Sequence, residues 1–429
     1  MRDEHAKQDV LAAVDKLKDE LIQRTVETVQ IRSVTPDYVG VVYEDEVGGE
    51  IEVCEYLRPF LDDLGLDTEL WEEGEGRGVL AGVCKGSGGG RSLILNGHVD
   101  VVPPGPDEAW RVADAFSGSV VDGRIYGRGS VDMKGPGMAA FIALKAVLDA
   151  GYRPKGDVTL EFVGGEEMGQ ALGSRGAVRK GYRADSVIIM EPSRGVLSPV
   201  GAGLFYLQVE IRGKATHVGF RGQMVRTGGR GDAIGVNSIE KGMVVYEALQ
   251  RLEEKWGQTK THPLFFPGFF TLHPGAITGG PNGAFVVSDR STIDYAVWYH
   301  PDEDPEDVKK EIGDQIMRFA QTDPWLRDNP PKLHWLAHLG SFNTPLEAPI
   351  CQAVHNAYEQ ATGRSHMPIA YEAGCDAPAF LEAGMTDIVC CGPGSFEVAH
   401  GPDEHVDIGD LTDCARVLAT TIVEYCGVG

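Results

Sequence analysis

The sequence predicts an α/β protein in which a mainly parallel sheet is covered by helices and interrupted by an inserted α+β domain. Strand and helix patterns alternate through the first half of the chain, as in parallel β-α-β units. Strand–helix units of antiparallel character replace them in the middle, and the α/β pattern resumes at Thr344. At 429 residues the chain also exceeds the size at which one core usually stops growing, so two domains are expected.

The first half supplies the parallel sheet. Apolar Leu93–Leu95 predicts a strand, Gly137–Ala150 a helix, and Val158–Val163 and Ser186–Met190 two further strands. Because crossovers in such sheets keep one hand, the ends of these strands meet at one edge. Ligand sites in α/β proteins usually form at that edge. Polar residues that follow these strands are therefore the first candidates for a functional site.

The middle of the chain predicts a separate domain. Its strands and helices alternate in the order Leu204–Ile211, Val236–Trp256, Phe285–Tyr299, Asp304–Ala320 and Lys332–Ala337, with helices second and fourth. We therefore expect one domain built from residues 1–202 and 342–429, and an inserted α+β domain built from residues 203–341.

The composition argues against nucleic-acid and membrane partners and indicates a cytoplasmic location. The chain carries 39 Lys and Arg against 64 Asp and Glu, a net charge of −25, and nucleic-acid affinity comes largely from basic residues, so no nucleic-acid partner is expected. The apolar runs are too short to span a bilayer, so no membrane role is expected. The sequence shows no signal-peptide pattern and its eight cysteines include no C-x-x-C pair, so we expect a cytoplasmic protein.

Metal-type side chains lie at strand ends or in loops in five short segments, and all of them except His400 follow an apolar strand or lie in a glycine-flanked loop. These segments are Gly97–Asp100, Gly129–Gly135, Gly164–Gly169, Met190–Ser193 and Ala399–Pro402. In extended chain His98 and Asp100 point to one face, so the Asp100 carboxylate can hold the ring nitrogen of His98 that does not touch a metal. Each segment alone has a simpler explanation, such as a solvated acidic face. Their combination favours convergence on one site.

These segments resemble, in the same order, a family of dinuclear metallohydrolases. That family includes carboxypeptidase G, aminoacylase, acetylornithine deacetylase and succinyl-diaminopimelate desuccinylase. The resemblance spans nearly the whole chain and is carried by LNGHVDVVP at 95–103, GRIYGRGSVDMKG at 123–135, GEEMG at 165–169, MEPS at 190–193, GKATH at 213–217, GCDAPAF at 374–380 and GPGSFEVAHGPDEHV at 392–406. It implies a catalytic domain, an inserted lid or dimerisation domain, and a homodimer formed through that lid.

By this resemblance, Asp132 would bridge two divalent metal ions. His98 and Glu191 would complete one ion, and Glu167 and His400 the other. Two such ions roughly 3.5–4 Å apart lower the pKa of a shared water and hold the attacking oxygen. Imidazole and carboxylate ligands without a thiolate suit Zn²⁺, Mn²⁺ or Co²⁺ and do not distinguish among them.

The resemblance also implies how protons and charge are handled. Glu166 would be the general base, taking a proton from the bridging water and passing it to the leaving nitrogen. This explains two consecutive glutamates, because Glu167 can bind metal while Glu166 stays free to move protons. His217, in the inserted domain, would reach across a dimer to stabilise the developing oxyanion.

The first departure from the family pattern concerns the substrate carboxylate. Members that bind an amino-acid carboxylate usually carry an Asn before a lid strand and an Arg further along it, where this chain has Phe285 and Trp298. Arg grips a carboxylate with its planar fork, whereas Trp offers an apolar face and one N–H donor. Either the usual clamp is missing here, or the alignment slips and Arg290 fills the role.

A second departure is a glycine-rich and arginine-rich segment after His217, which contains Arg221, Arg226 and Arg230. These arginines could bind an anionic group of the substrate, or the segment could be a solvated loop at the dimer edge. Gly394 lies where the family's substrate loop lies, so its backbone N–H could bind an anion; a tight turn is the equal alternative.

We therefore expect a metal-dependent hydrolase that cleaves a C–N bond of a small, carboxylated, aromatic substrate by attack of a metal-bridging hydroxide. One member of this family type, 5-nitroanthranilate aminohydrolase, releases ammonia from an aryl amine, and Phe285 and Trp298 would suit such a ring by stacking. The alternative in the same class is an N-acyl amino acid deacylase or a small-dipeptide carboxypeptidase. An alternative of another class is a non-catalytic metal-binding scaffold, against which the intact ligand set argues.

Overall fold

The structure, a computed structural model, describes residues 2–220, 234–280 and 284–429. The chain divides into two compact units. The first, called the α/β unit below, comprises Met1–Gly201 and Phe342–Gly429, and the second, the inserted unit, comprises Ala202–Ser341. The division expected from the sequence differs from this one by a single residue, at the first boundary.

Helices and strands alternate along both units. Before the insertion, the α/β unit contains α1 (Arg2–Lys16), α2 (Lys18–Gln30), α3 (Tyr43–Glu46), α4 (Gly49–Asp63), β1 (Asp67–Glu72), β2 (Gly78–Cys84), β3 (Leu93–His98), β4 (Ser119–Val121), β5 (Arg124–Tyr126), α5 (Lys134–Asp149), β6 (Val158–Val163), α6 (Leu172–Lys180), β7 (Ser186–Pro192) and β8 (Val200–Gly201). The inserted unit contains β9 (Gly203–Arg212), α7 (Ser238–Thr259), β10 (Leu272–Gly279), β11 (Arg290–Tyr299), α8 (Pro305–Ala320), α9 (Pro324–Asp328) and β12 (Lys332–Leu339). The α/β unit then adds β13 (Phe342–Asn343), α10 (Pro349–Thr362), β14 (Ala370–Tyr371), α11 (Ala377–Glu382), β15 (Ile388–Gly392), β16 (His405–Asp407) and α12 (Ile408–Thr421).

The main sheet of the α/β unit has the strand order β1-β2-β6-β3-β7-β15. Strands β6, β3, β7 and β15 are parallel to one another, while β1 and β2 form an antiparallel edge. Every residue of β3, β6 and β7 is buried, as expected for strands covered on both faces. The predicted mainly parallel sheet covered by helices is confirmed.

Helices pack against this sheet and fix its strand ends. The α5 helix, buried over most of its length, packs on β3, β6 and β7, and α4 packs on β2. Gly137 permits the close approach of α5, because a Cβ there would lie 3.1 Å from the Phe162 ring. The loop that precedes α5 is therefore held near the ends of the central parallel strands.

The inserted unit is a four-stranded antiparallel sheet in the order β10-β11-β9-β12, with α7 and α8 packed against it. Alternate residues of β11 are buried against a core that includes Trp256. Asn237 and Asp304 cap the two helices by accepting the N–H groups of Ile239 and Glu306. The observed β11 begins at Arg290, five residues later than the strand expected from the sequence.

All eight cysteines are buried thiols. Within the ranges described above, no helix has the length and apolar character needed to cross a membrane. The cytoplasmic location expected from the cysteine usage stays a prediction.

Candidate metal centre

Three parallel strands of the α/β unit end where the candidate ligands lie. His98 is the last residue of β3, Glu191 lies near the end of β7, and Glu166–Glu167 follows β6. Since β3 pairs in parallel with both β6 and β7, the carboxyl ends of all three meet at one edge. Asp132, in the loop before α5, and His400, between β15 and β16, complete the group.

The Asp132 carboxylate lies between two imidazoles. Its Oδ1 is 3.1 Å from Nε2 of His98, and its Oδ2 is 3.1 Å from Nε2 of His400. The same nitrogen of His400 is 3.1 Å from Oε2 of Glu167. One carboxylate therefore contacts both histidines through different oxygens, which is the arrangement expected of a bridging ligand.

Two further carboxylates face His98. Its Nε2 lies 3.8 Å from Oε2 of Glu166 and 3.8 Å from Oε1 of Glu191. The ligand atoms of His98, Asp132 and Glu167 lie within 4.8 Å of one another, as do those of His98, Glu166 and Glu191. The structure thus brings the metal ligands expected from the sequence, and the expected base, into one cluster.

Burial and mutual repulsion dominate the electrostatics of the cluster. Burial raises the pKa of Glu166, Glu167 and Glu191, and neighbouring acids raise it further. Burial acts on Asp132 as well, but hydrogen bonds to the two histidines outweigh it and lower the pKa of that carboxyl. Burial would lower the pKa of His400, yet its contacts with Asp132 and Glu167 raise it to about 11.

The donor set fits divalent metal ions. In the described part of the chain, the carboxylates of Asp132, Glu166, Glu167 and Glu191 form ion pairs with histidines only. Oε1 of Glu167 is buried and has no hydrogen-bond partner among the residues that the structure describes. Buried charges of one sign are costly unless they are paired or coordinate a metal. Divalent cations would neutralise the excess negative charge, and oxygen and imidazole donors suit them.

Asp100 orients the His98 ring, but through a different atom from the one predicted. Nδ1 of His98 donates to the backbone carbonyl of Asp100 at 2.9 Å, whereas the nearest carboxylate oxygen is 3.8 Å away. The Asp100 carboxylate instead accepts the backbone N–H groups of Glu166 and Glu167, at 3.2 and 3.0 Å. The prediction that this carboxylate holds the ring is wrong, because it fixes the loop that carries the two glutamates.

The sequence reasoning missed a buried ion pair next to the Asp132 loop. Glu404 is fully buried and its carboxylate pairs with Arg128, which is also buried. Burial raises the pKa of Glu404 to about 7 although Arg128 opposes this. Both residues lie inside motifs that carry the family resemblance, and this was the one feature of the sequence that could have indicated them. Nothing local distinguishes a buried loop carboxylate from a solvated one.

Three residues expected near the substrate belong to the inserted unit. Phe285 is 80% exposed. Trp298 is half-buried, and its ring centroid lies 5.7 Å from that of Phe269. Part of the indole surface that was expected to contact a substrate therefore packs inside the inserted unit. Nδ1 of His217 accepts the N–H of Gly219 at 3.0 Å, which leaves Nε2 as the nitrogen that carries the ring proton.

Of the four arginines considered for anion binding, the structure describes only Arg290. Arg221, Arg226 and Arg230 lie outside the described residues. Nη2 of Arg290 is 2.7 Å from Oε2 of Glu210, a neighbour on the inserted sheet. An existing carboxylate partner therefore engages the guanidinium that the alternative alignment assigned to the substrate.

Gly394 has a packing role that requires glycine. Its φ is +74°, and a Cβ there would lie 2.4 Å from Cγ2 of Val131, next to Asp132 in the chain. Its carbonyl accepts the N–H of Arg194 at 2.7 Å. Close packing against the Asp132 loop therefore explains this glycine without an anion, and its substrate role stays a prediction.

The chain is similar to known proteins over most of its length. The model of a family described as peptidase family M20/M25/M40 matches residues 94–424. The chain is 30% identical, over 98% of its length and 97% of the relative, to an N-formyl-4-amino-5-aminomethyl-2-methylpyrimidine deformylase of Halalkalibacterium halodurans. It is 29% identical, over 88% of its length and 93% of the relative, to an acetylornithine deacetylase of Myxococcus xanthus. Human carnosine dipeptidase 1 shares the fold, with a TM-score of 0.72 at 16% identity over 98% of each chain.

Proposed function

The chain belongs to peptidase family M20/M25/M40, and from that premise we propose that its cluster around Asp132 holds two divalent metal ions and hydrolyses a C–N bond in a small molecule. Membership makes the chain a hydrolase, and the intact ligand set argues against the scaffold alternative. The observation that carries the proposal is the Asp132 carboxylate, whose Oδ1 lies 3.1 Å from His98 and whose Oδ2 lies 3.1 Å from His400.

Each ion would have its own ligands besides Asp132. His98 and Glu191 would hold one, and Glu167 and His400 the other, with Zn²⁺, Mn²⁺ and Co²⁺ all compatible with the donors. When bound, the two ions would supply Lewis acidity and lower the pKa of water to near neutrality. The backbone carbonyl of Asp100 keeps Nδ1 of His98 protonated and leaves Nε2 to face the site.

Glu166 would move the protons. Its Oε2 lies in the cluster, 3.8 Å from Nε2 of His98, and burial raises its pKa. A carboxylate with a raised pKa accepts a proton from the attacking water more readily and can return it to the leaving nitrogen. His217 would reach across a dimer and donate its Nε2–H to the developing oxyanion, because its Nδ1 already accepts the Gly219 N–H.

The substrate we propose is a small formamide or related amide attached to an aromatic ring. A relative matched over nearly the full length of both chains is a deformylase of an aminopyrimidine, whose substrate combines an aromatic ring with an amide C–N bond. The exposed Phe285 ring offers an apolar face for such a substrate. N-acyl amino acid deacylation is the second candidate, favoured by the likeness to acetylornithine deacetylase. Deamination of 5-nitroanthranilate stays a prediction.

A substrate screen with metal-reconstituted protein tests these candidates against one another. N-formyl-4-amino-5-aminomethyl-2-methylpyrimidine, N-acetylornithine, N-succinyl-diaminopimelate and 5-nitroanthranilate would be compared by kcat/KM, reading formate, free amine or ammonia. The Glu166→Gln variant, prepared identically, controls for contaminating hydrolases. We expect formate release to dominate. Turnover of the acyl amino acids alone would contradict the aromatic substrate, and ammonia from 5-nitroanthranilate alone would favour aryl-amine hydrolysis.

We further propose a homodimer formed through the inserted unit. Edge strand β10 and helix α7 expose apolar side chains side by side: Ile277 is 50% exposed, Met243 43% and Ile239 40%. An edge strand with exposed apolar residues is a template for pairing with another chain, and a second copy would cover both features. Light scattering should show a dimer for the wild type and a monomer for Ile277→Lys. A wild-type monomer would contradict the proposal.

A further inference from the structure

One fully buried carboxylate holds the loop that carries Asp132. Oε1 of Glu404 accepts the backbone N–H groups of Gly129, Val131 and Asp132, at 2.9, 3.2 and 3.2 Å. Its other oxygen accepts a hydrogen bond from Nη1 of Arg128. Glu404 has no exposed surface and Arg128 is 1% exposed, so solvent does not weaken these contacts. The position of the Asp132 backbone therefore depends directly on Glu404.

The same ion pair also reaches the segment that carries His400. Nη2 of Arg128 donates to the carbonyl of Gly401, the residue directly after His400, at 3.2 Å. The backbone carbonyl of Glu404, four residues after His400, accepts the N–H of Gly127 at 2.9 Å. The segment between His400 and Glu404 is thus connected at both ends to the loop that leads to Asp132.

His400 needs this support more than an ordinary ligand does. Its φ is +59°, a left-handed conformation that is costly for a residue other than glycine and persists only where the surroundings hold it. Its side chain is 50% exposed, so packing around the ring is incomplete. Its contacts in the cluster are the carboxylates of Asp132 and Glu167, whose separation must be set by other parts of the structure.

We infer that Arg128 and Glu404 are positioning residues that hold Asp132 and His400 at the spacing needed to bind one metal ion together with Glu167. This rests on the metal centre proposed above. Neither residue belongs to the ligand set. Besides the bond between them, their side-chain hydrogen bonds to the described residues fall on the Asp132 loop, on the carbonyl of Gly401 and on the carbonyl of Pro103. The ion between Glu167 and His400 should therefore depend on the pair more strongly than the ion between His98 and Glu191.

Metal titration of Glu404→Gln tests this inference. Glutamine keeps an oxygen for the backbone N–H groups but loses the charge that pairs with Arg128. Metal-free protein would be titrated with Mn²⁺ by calorimetry, and bound metal counted by mass spectrometry after gel filtration. We expect one of the two affinities to fall about 10- to 100-fold, as when an outer hydrogen-bond partner of a metal ligand is removed, with the other preserved. Glu404→Asp, which keeps the charge but is too short for all four contacts, should give the same selective loss and serves if the glutamine variant does not fold.

The partly buried ion pair between Lys7 and Glu424, 2.8 Å long, provides a matched control away from the cluster. Glu424→Gln should lower Tm without changing either metal affinity. Glu404 variants that bind both ions as tightly as the wild type would overturn the inference, and so would an equal loss at both sites. If the wild type binds no divalent metal, the proposed metal centre itself fails, which separates the two failures.

Discussion

Replacing Glu166 by Gln removes the proposed base while keeping the shape of the side chain. Oε2 of Glu166 lies 3.8 Å from Nε2 of His98, and the side chain is 10% exposed. Burial raises its pKa; the His98 charge opposes this and Glu191 adds to it. Loss of a general base costs about 10²- to 10⁴-fold in rate, or about 2.7–5.4 kcal/mol at 1.36 kcal/mol per tenfold change.

We therefore expect kcat of Glu166→Gln to fall by about two to four orders of magnitude, with the wild-type metal content retained. The assay is steady-state turnover of the substrate found in the screen, with metal analysis on the same sample. Glu167→Gln is the matched control, because an adjacent ligand should lose metal as well as activity. Near-normal turnover would remove Glu166 from the mechanism. Loss of metal from Glu166→Gln alone would show that the two glutamates exchange roles.

Three further predictions concern stability, metal and specificity. Burial raises the pKa of Glu161 from 4.5 to about 8, so the folded state keeps a proton that the unfolded state releases between these values, and wild-type stability should fall as pH rises through that window. Glu161→Gln should match the wild-type Tm near pH 4.5 and exceed it at pH 8, where its unfolding free energy should be higher by roughly 4–5 kcal/mol. Equal pH profiles of Tm for the two proteins would contradict this. Asp132→Ala should lose bound metal and activity together after dialysis, and retained metal would exclude a bridging role. Trp298→Arg should gain N-acyl amino acid hydrolysis if Trp298 occupies the family's arginine position, and no gain would indicate a different register.

Much of the fold follows from local pattern, and the exceptions have physical reasons. Strands β3, β6 and β7 are continuous apolar runs because both their faces are covered, and the sequence shows them directly. Strand β10 was missed because nearly all its residues are exposed to some degree and carry no alternation. The strand β11 starts late because Val287 donates its N–H to Thr216 instead of joining the sheet ladder.

The site shows a similar division between local and tertiary information. The ligand set was predicted from the family resemblance. All its members except His400 also follow a strand or lie in a glycine-flanked loop, and parallel strands bring such ends together. The sequence could not predict which atom of Asp100 contacts His98. That contact depends on the loop of Glu166, whose backbone N–H groups bind the Asp100 carboxylate. The Glu404 contacts could not be predicted either, because they join segments that lie more than 270 residues apart in the sequence.

The most direct test of the metal centre is anomalous X-ray scattering from crystals grown with Mn²⁺ or Zn²⁺. We expect two peaks in each chain, one on either side of the Asp132 carboxylate, the first against His98 and Glu191 and the second against Glu167 and His400. Crystals of the metal-loaded protein with no anomalous peak at Asp132, or with peaks elsewhere only, would contradict the account.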